Sequence, residues 1–442
     1  MEEYLKILLE QIRCKKARPY IRQELQDHME DQIEENIQLG MNFEQAEKEA
    51  VKDMGDPVET GISLDRIHKP QAAWKLLFIV IMISAVGILA QIMIARHAKG
   101  EYVSASGRYV VHVMLGSAVM IFLYFLDYTV LARFSRIIAS GLIVLCLVSV
   151  LSGNMVNGMI YYIAIGGRPV SVQALMLFYV PVYGGIIYKY HGSGYGGLMK
   201  SIAWMILPVV LVFRLPSLTI AGMLMVSMLV ILTMAIQKGW FRIHKKKAIC
   251  GVWGIFMILP AAALFIMYFG NGLMPYQKER VQAFFAGGGE ENPLKILMNA
   301  NKFAGSSGAE VSMVLPEFNR DYILSYLSSV YGMIAGILIC CVLAVLIIAV
   351  FNTAVKQKNQ LGMIMGCGCG MIFLVSFLVN VLENVGILPS SAAFLPFISA
   401  GGSYIIVSYG LMGIVLSIYR YKNVYPRHVK ISGQKRKTTA GL

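Results

Sequence analysis

Charged residues are scarce in this 442-residue chain, 14% of it against 57% that are apolar. A soluble domain carries about a quarter of its residues as charges, so that class is excluded. Acidic residues are scarcest where the chain is most apolar: residues 1–70 hold 16 of the 25, leaving nine for all that follows. Cysteine is sparse as well. Cys14, Cys146, Cys250, Cys340, Cys341, Cys367 and Cys369 follow no paired spacing, which excludes a disulfide-stapled scaffold. Cys367-Gly368-Cys369 has no His or further Cys close by, so a zinc site lacks its ligands and no metal site is expected there. The first residues lack an apolar signal core, which predicts no cleavable leader.

What is abundant is apolar sequence in runs of about 20 residues, each long enough to cross a bilayer core as a helix. Ten runs, at roughly 73–95, 108–126, 135–152, 171–188, 198–213, 217–236, 248–269, 326–352, 363–385 and 398–419, predict an all-α, polytopic membrane protein. The membrane domain is expected over 73–421, with a basic tail at 422–442.

Ahead of it, residues 1–69 read as a small helical domain of net negative charge. Tyr4, Leu5, Ile7, Leu8, Leu9 and Ile12 mark one apolar helical face. A second helix is expected from Arg18 to Leu39, stopped by Gly40. Asn42 is placed to cap a third, with Gln45 completing a capping box, and Gly55-Asp56-Pro57 closes it and opens a fourth.

Basic residues sort to one side of the expected spans: Arg133, Arg136, Lys189, Lys238, Arg242, Lys245, Lys246, Lys247, Lys356, Lys358 and the tail. Arg96, Lys99 and Arg108 are the exception. The bias predicts both termini in the cytoplasm and suits anionic membrane lipids, with no reason to invoke nucleic acid. The polar island 270–325 then lies outside. It holds Glu279, Glu290, Glu291, Glu310, Glu317 and Asp321, six of the nine acids beyond residue 70. Carboxylates that close to hydrocarbon mark a functional site, the alternative being a loop that is polar only because it is solvated. Glu383, near the outer end of the ninth expected span, is either partnered or merely reaching the interface.

The order Glu24…His28, Gly40-Met41-Asn42 with Ala46, and Met54-Gly55-Asp56-Pro57 resembles the permease-prefix helical domain found ahead of several bacterial membrane proteins, which implies a cytoplasmic interaction module. A longer resemblance covers about residues 75–421. Gly386-Ile387-Leu388-Pro389, then Leu395-Pro396-Phe397-Ile398-Ser399-Ala400-Gly401-Gly402-Ser403, with Asn380 ahead, is similar to the hallmark of the FtsW/RodA/SpoVE (SEDS) family. Asn157-Gly158 with Tyr161, Tyr162, Ile163, Gly166 and Gln173 resembles the family's segment before the fourth span, and Pro216-Ser217-Leu218 its PDL. Leu315-Pro316-Glu317 with Asp321-Tyr322-Ile323 and Gly332 resembles its run into the eighth span.

That resemblance implies a SEDS fold in the bacterial cell membrane and peptidoglycan glycosyltransferase activity on lipid II, beside a class B penicillin-binding protein transpeptidase. No cofactor is implied, and a divalent cation at the leaving diphosphate stays open. The family's base is an aspartate in an R-xxx-F…DP pattern; here Arg280 and Phe284 match, but the DP position reads Asn292-Pro293. An amide cannot take a proton at neutral pH, so either Glu290 or Glu291, just after Gly287-Gly288-Gly289, is the base, or the chain is a silent scaffold. Ser217, Met176, Tyr179 and Tyr161 also stand where the family has charged residues. Arg280 and Lys295 are candidate phosphate contacts, or else interfacial residues pairing with lipid headgroups. Glu317 and Asp321 look more like organisers of the loop than the base, and together with Ser399, Gly401, Gly402 and Ser403 are carried over by the resemblance as substrate-binding positions. Lipid transport is the third reading, resting on the multi-span architecture alone.

Overall fold

The computed structural model describes residues 1–97, 102–152, 162–165, 168–215, 217–270, 278–279, 282, 301–307, 318–388 and 393–429. Four short helices come first: α1 (Glu2–Glu10), α2 (Arg18–Gln38), α3 (Phe43–Asp53) and α4 (Pro57–His68). Their boundaries follow from local chemistry. Gly40 ends α2 with φ +95°, a conformation that a side chain would strain. Asn42 accepts from the Gln45 amide at 2.8 Å and Asp56 from those of Val58 and Glu59 at 2.8 and 2.9 Å, satisfying donors at the starts of α3 and α4. Leu5, Leu8, Ile12, Ile21 and Met29 are buried beneath them.

Arg13 ties α1 to α4 through Asp65, its backbone amide and Nε each donating at 2.8 Å. Burial alone pushes the Asp65 carboxyl up, but the Arg13 hydrogen bonds and charge outweigh it and hold the carboxyl below its ordinary value. A lowered carboxylate stabilises the fold above its ordinary pKa, and that contribution disappears as pH falls through the lowered value. Because the guanidinium is largely exposed, the pair contributes no more than ~1 kcal/mol. Asp65→Asn is therefore expected to remove an acid-dependent opening of α1 and α4, read in the full chain by amide exchange corrected for its intrinsic pH dependence.

The remainder is built of α5 (Trp74–His97), α6 (Tyr102–Phe125), α7 (Tyr128–Arg133), α8 (Ser135–Ser152), α9 (Val172–Met176), α10 (Tyr179–Tyr188), α11 (Tyr195–Arg214), α12 (Leu218–Gln237), α13 (Lys245–Phe269), α14 (Ile323–Tyr331), α15 (Met333–Val355), α16 (Gln360–Asn384) and α17 (Gly402–Arg420). Among the described residues seven of these, α5, α6, α11, α12, α15, α16 and α17, are long and apolar enough to cross a bilayer. The chain is a multi-pass membrane protein. The shorter apolar helices α8 and α9–α10, and the 25-residue α13, occupy the other three expected runs.

Three of the expected runs are divided or start elsewhere, and one ribbon was not expected. The run at 171–188 is two helices, interrupted at Leu177-Phe178. The run at 326–352 is broken at Gly332, whose φ of +95° ends α14 and redirects the chain into α15. The last helix starts at Gly402 rather than 398 because Phe397, at φ +65°, places the preceding residues in a turn. A two-stranded antiparallel ribbon, β1 (Tyr162–Ile165) with β2 (Arg168–Ser171), precedes α9, pairing Ile165 with Arg168 across a two-residue connection.

Helix α10 is buried along its whole length and α16 from Gln360 to Phe373, which puts this pair at the centre of the bundle. Phe78, Ile81, Met114, Phe122, Leu338 and Ile348 point outward, as expected of helices that face lipid. The α1–α4 unit sits at one end of the bundle, hereafter the prefix end. There the Gln71 amide donates to the Arg420 carbonyl at 3.0 Å, and His68 Nδ1 lies 2.7 Å from the Asn423 carbonyl.

Candidate functional site

At the opposite end, two non-helical stretches lie side by side: 318–322, leading into α14, and 393–401, leading into α17. Peptide groups there have no helix or sheet to pair them, so side chains must do it. Ser399 does so in both directions, its Oγ donating to the Arg320 carbonyl at 2.6 Å and accepting from the Leu395 amide at 2.7 Å. The Ala400 amide donates to the Asn319 carbonyl at 3.1 Å. Gln91, buried in α5, reaches both stretches, its Nε2 lying 3.1 Å from the carbonyls of Asn319 and Ile398.

The far end of α16 supplies the second half of the bracket. Asn380 Nδ2 donates to the Asp321 carbonyl at 3.0 Å and to the Ala393 carbonyl at 2.6 Å. One turn on, Asn384 Nδ2 donates to the same Asp321 carbonyl at 2.9 Å. The Asn384 Oδ1 accepts from the Ser325 amide and hydroxyl at 3.0 and 2.8 Å. Glu383 is completely buried, and its Oε2 accepts from the Ala393 amide at 3.3 Å. Residues 380, 383 and 384 share one helical face, which is why a single turn of α16 can hold both stretches.

Aromatic packing and one close approach fix the rest. The Tyr109 hydroxyl donates to the Phe397 carbonyl, and the Phe397 ring packs between Phe373 and Tyr409, with centroids 5.6 and 5.0 Å away. Phe394 stacks on Tyr404 at 4.5 Å, and Phe318 on Tyr326 at 4.9 Å. A Cβ on Gly402 would meet the His112 ring at 2.5 Å, so any other residue there would have to push that ring aside. Ser403 Oγ accepts from the Ser171 amide at 3.0 Å, joining the ribbon to α17. Gln173, two residues on, donates to the Leu215 carbonyl at 2.7 Å.

Asp321, Ser399, Gly401, Gly402 and Ser403 are thus brought together by the fold, with Asn380 and Gln173 beside them. Ser399 and Ser403 spend their hydroxyls on backbone groups, which makes them parts of the frame. The Asp321 main-chain carbonyl carries a double clasp. Glu383 is buried, so the reading of a carboxylate that merely reaches the interface is corrected. Arg280, Glu290, Glu291, Asn292, Lys295 and Glu317 lie outside the described residues, as do Asn157, Gly158, Tyr161, Gly166, Pro216 and Leu388's neighbour Pro389. Gln91, Tyr109, His112 and Asn384 were not singled out from the sequence. Gln91 left a signal, a lone amide in an otherwise apolar run, which in a membrane segment points to a polar partner.

The comparisons with known proteins cover the membrane-spanning part of the chain. A sequence model of the FtsW/RodA/SpoVE family, described as a cell cycle protein, matches residues 70–424. The chain belongs to the FtsW/RodA/SpoVE family. It is 32% identical over 130 residues to a probable peptidoglycan glycosyltransferase FtsW of Enterococcus hirae, covering 29% of this chain and 32% of that protein. To the peptidoglycan glycosyltransferase MrdB of Escherichia coli it is 28% identical over 189 residues, covering 40% and 50%. The chain therefore spans about a third to a half of the length of the curated relatives it matches. In fold it is similar to a chain of a peptidoglycan synthase complex that coordinates polymerization and crosslinking, with a TM-score of 0.65 and 18% identity over 79% of this chain and 98% of the other. It is also similar to the rod shape determining protein RodA of Thermus thermophilus, with a TM-score of 0.58 and 15% identity over 79% and 97%. The SEDS fold is shared.

Proposed function

We propose that this chain polymerises lipid II as a peptidoglycan glycosyltransferase at the outer face of the bacterial cell membrane, with a class B penicillin-binding protein transpeptidase as its partner. The observation that carries the reading is the double clasp on Asp321, which pins the last residues of the 270–325 segment against α16 and the 393–403 stretch. The clasp anchors the end of this segment beside the 393–403 stretch, and the segment's carboxylates and cations are the groups that transfer to a lipid-borne sugar would call on. Glycosyl transfer needs a carboxylate to take the proton of the acceptor hydroxyl and positive charge to stabilise the departing diphosphate. Glu290 or Glu291 is assigned the first role, and Arg280 and Lys295 the second. The distribution of Lys and Arg supports both termini, and the prefix, on the cytoplasmic side. Full-length protein in proteoliposomes should convert lipid II into glycan strands, and no strands either alone or with a transpeptidase would sink the reading.

A second reading, a scaffold without polymerase activity, is favoured by one observation: Asn292 stands where the family pattern has its aspartate. Asn292→Asp separates the two. If Glu290 or Glu291 is the base, the new carboxylate is expected to change the polymerisation rate by less than about threefold. If the wild-type protein is silent, it should create a rate gain on the order of a hundredfold, the usual contribution of a positioned general base.

A further inference from the structure

We propose that Lys16, on the prefix, is a positioning residue for chemistry at the far end of the bundle, acting through α6 and α17. The proposal rests on the polymerase reading for what that chemistry is, but its first test does not.

At the prefix end, Asp127, 4% exposed, follows the last turn of α6. Its carboxylate accepts from Lys16 Nζ at 2.7 Å, from the Thr129 amide and hydroxyl at 2.9 and 2.8 Å, and from the Tyr425 hydroxyl. The Lys16 ammonium also lies over the Tyr421 ring, 4.7 Å from its centroid, and Tyr20 packs edge-on against Tyr425 at 5.7 Å. The prefix, the end of α6 and the chain just past α17 thus share one ionic node. Lys16 is its cation.

From that node α6 and α17 run together to the bracket, joined at three levels. Near the node, Ser417 Oγ donates to the Leu126 carbonyl at 2.6 Å and accepts from the Tyr128 amide at 3.2 Å. The Arg420 guanidinium there lies 4.7 and 4.6 Å from the ring centroids of Tyr124 and Phe125. About one turn further in, Gly413 brings the helices so close that a Cβ would meet the Met120 carbonyl oxygen at 2.7 Å. At the far end, α6 supplies Tyr109 to the Phe397 carbonyl and His112 to the space over Gly402. A close-packed pair does not deform gradually, so a shift at one end is carried as a displacement of the whole element.

Removing the ammonium leaves a buried carboxylate without its cation, and the relief open to Asp127 is to turn toward water. That turn moves the end of α6. The Phe397 carbonyl and Gly402, which meet Tyr109 and His112 at the other end of α6, move with it.

Amide exchange on the full chain in lipid nanodiscs is the test. In Lys16→Met the amides of Leu395, Ala400 and the first turn of α17 should exchange on the order of tenfold faster, with α10 and the middle of α16 unchanged. Lys16→Arg, which keeps the cation, should restore protection. Faster exchange confined to residues 1–70 and 420–429 overturns the proposal. If Lys16→Met loosens the whole chain, Tyr425→Phe, which removes one hydroxyl from Asp127, decides between the same two patterns. Where strands form, Lys16→Met should lower kcat with KM unchanged; an unchanged kcat beside a loosened bracket also overturns it. Absence of strands from the wild-type protein removes the polymerase reading and leaves the exchange result standing.

Discussion

Replacing Glu290 and Glu291 together by Gln is expected to lower the rate of lipid II polymerisation by 10²- to 10⁴-fold, the range that a positioned general base contributes. Gln keeps the size and polarity of each side chain and removes only the ability to take a proton, so folding and lipid II binding should survive. The single variants identify the base, since one should fall with the pair while the other stays within a few-fold of wild type. Strand formation is read on gels and lipid II binding separately, by retention on vesicles carrying it. A double variant with unchanged rate would end the assignment of either glutamate, and the base would then have to be sought elsewhere on the outer face.

Asn380→Leu is expected to produce the second large effect, on stability as well as rate. Asn380 is fully buried and donates from one amide nitrogen to two carbonyls, those of Asp321 and Ala393. Leucine fills the space and leaves both acceptors short of a buried donor, at a cost of roughly 1–3 kcal/mol each. Asn384 still holds the Asp321 carbonyl, so the loss falls mainly on Ala393 and the total should be about 1–3 kcal/mol. Displacing the 393–401 stretch by even 1 Å can lower a rate by about a hundredfold when substrate and base must align. Asn380→Asp, of the same shape, should be no better, because a carboxylate would face two carbonyl oxygens. Ser376→Ala, one turn away and equally buried, should melt close to wild type, its Oγ having a Met223 sulfur at 3.7 Å as hydrogen-bond partner. Equal melting temperatures and rates for Asn380→Leu and Ser376→Ala would show that the clasp is dispensable.

The features that could be read from sequence are those whose cause lies within a few residues. Asn42 and Asp56 cap helices because their partners are two or three positions away, and Gly40 stops α2 by its own backbone. The apolar runs were legible for the same reason, each being a continuous property of its own stretch. The bracket was not. Gln91 and Ile398 are 307 residues apart and Tyr109 and Phe397 are 288 apart, and no periodicity carries such a pairing. Family motifs located Ser399 and Asp321, yet their roles came out only with geometry: a hydroxyl spent on two peptide groups, and a main-chain carbonyl rather than a carboxylate. The break at Gly332 was missed because the residues around it are apolar enough to read as one helix. The ribbon was missed although Gly166-Gly167 stands between two short stretches with β-forming Tyr, Ile and Val, the pattern of a two-residue hairpin.

The contact between Lys16 and Tyr421 spans 405 residues, nearly the length of the polypeptide. A ribosome adds roughly 5–20 residues per second, so Lys16 waits on the order of 20–80 s for Tyr421 to be made. Asp127 follows Lys16 by 111 residues, so for the later part of that interval the two can already meet while Tyr421 and Tyr425 are still untranslated. Closure over the ion pair therefore follows synthesis of Tyr421 and Tyr425, and a chain truncated before residue 420 should insert its earlier spans and yet leave α1–α4 open to protease.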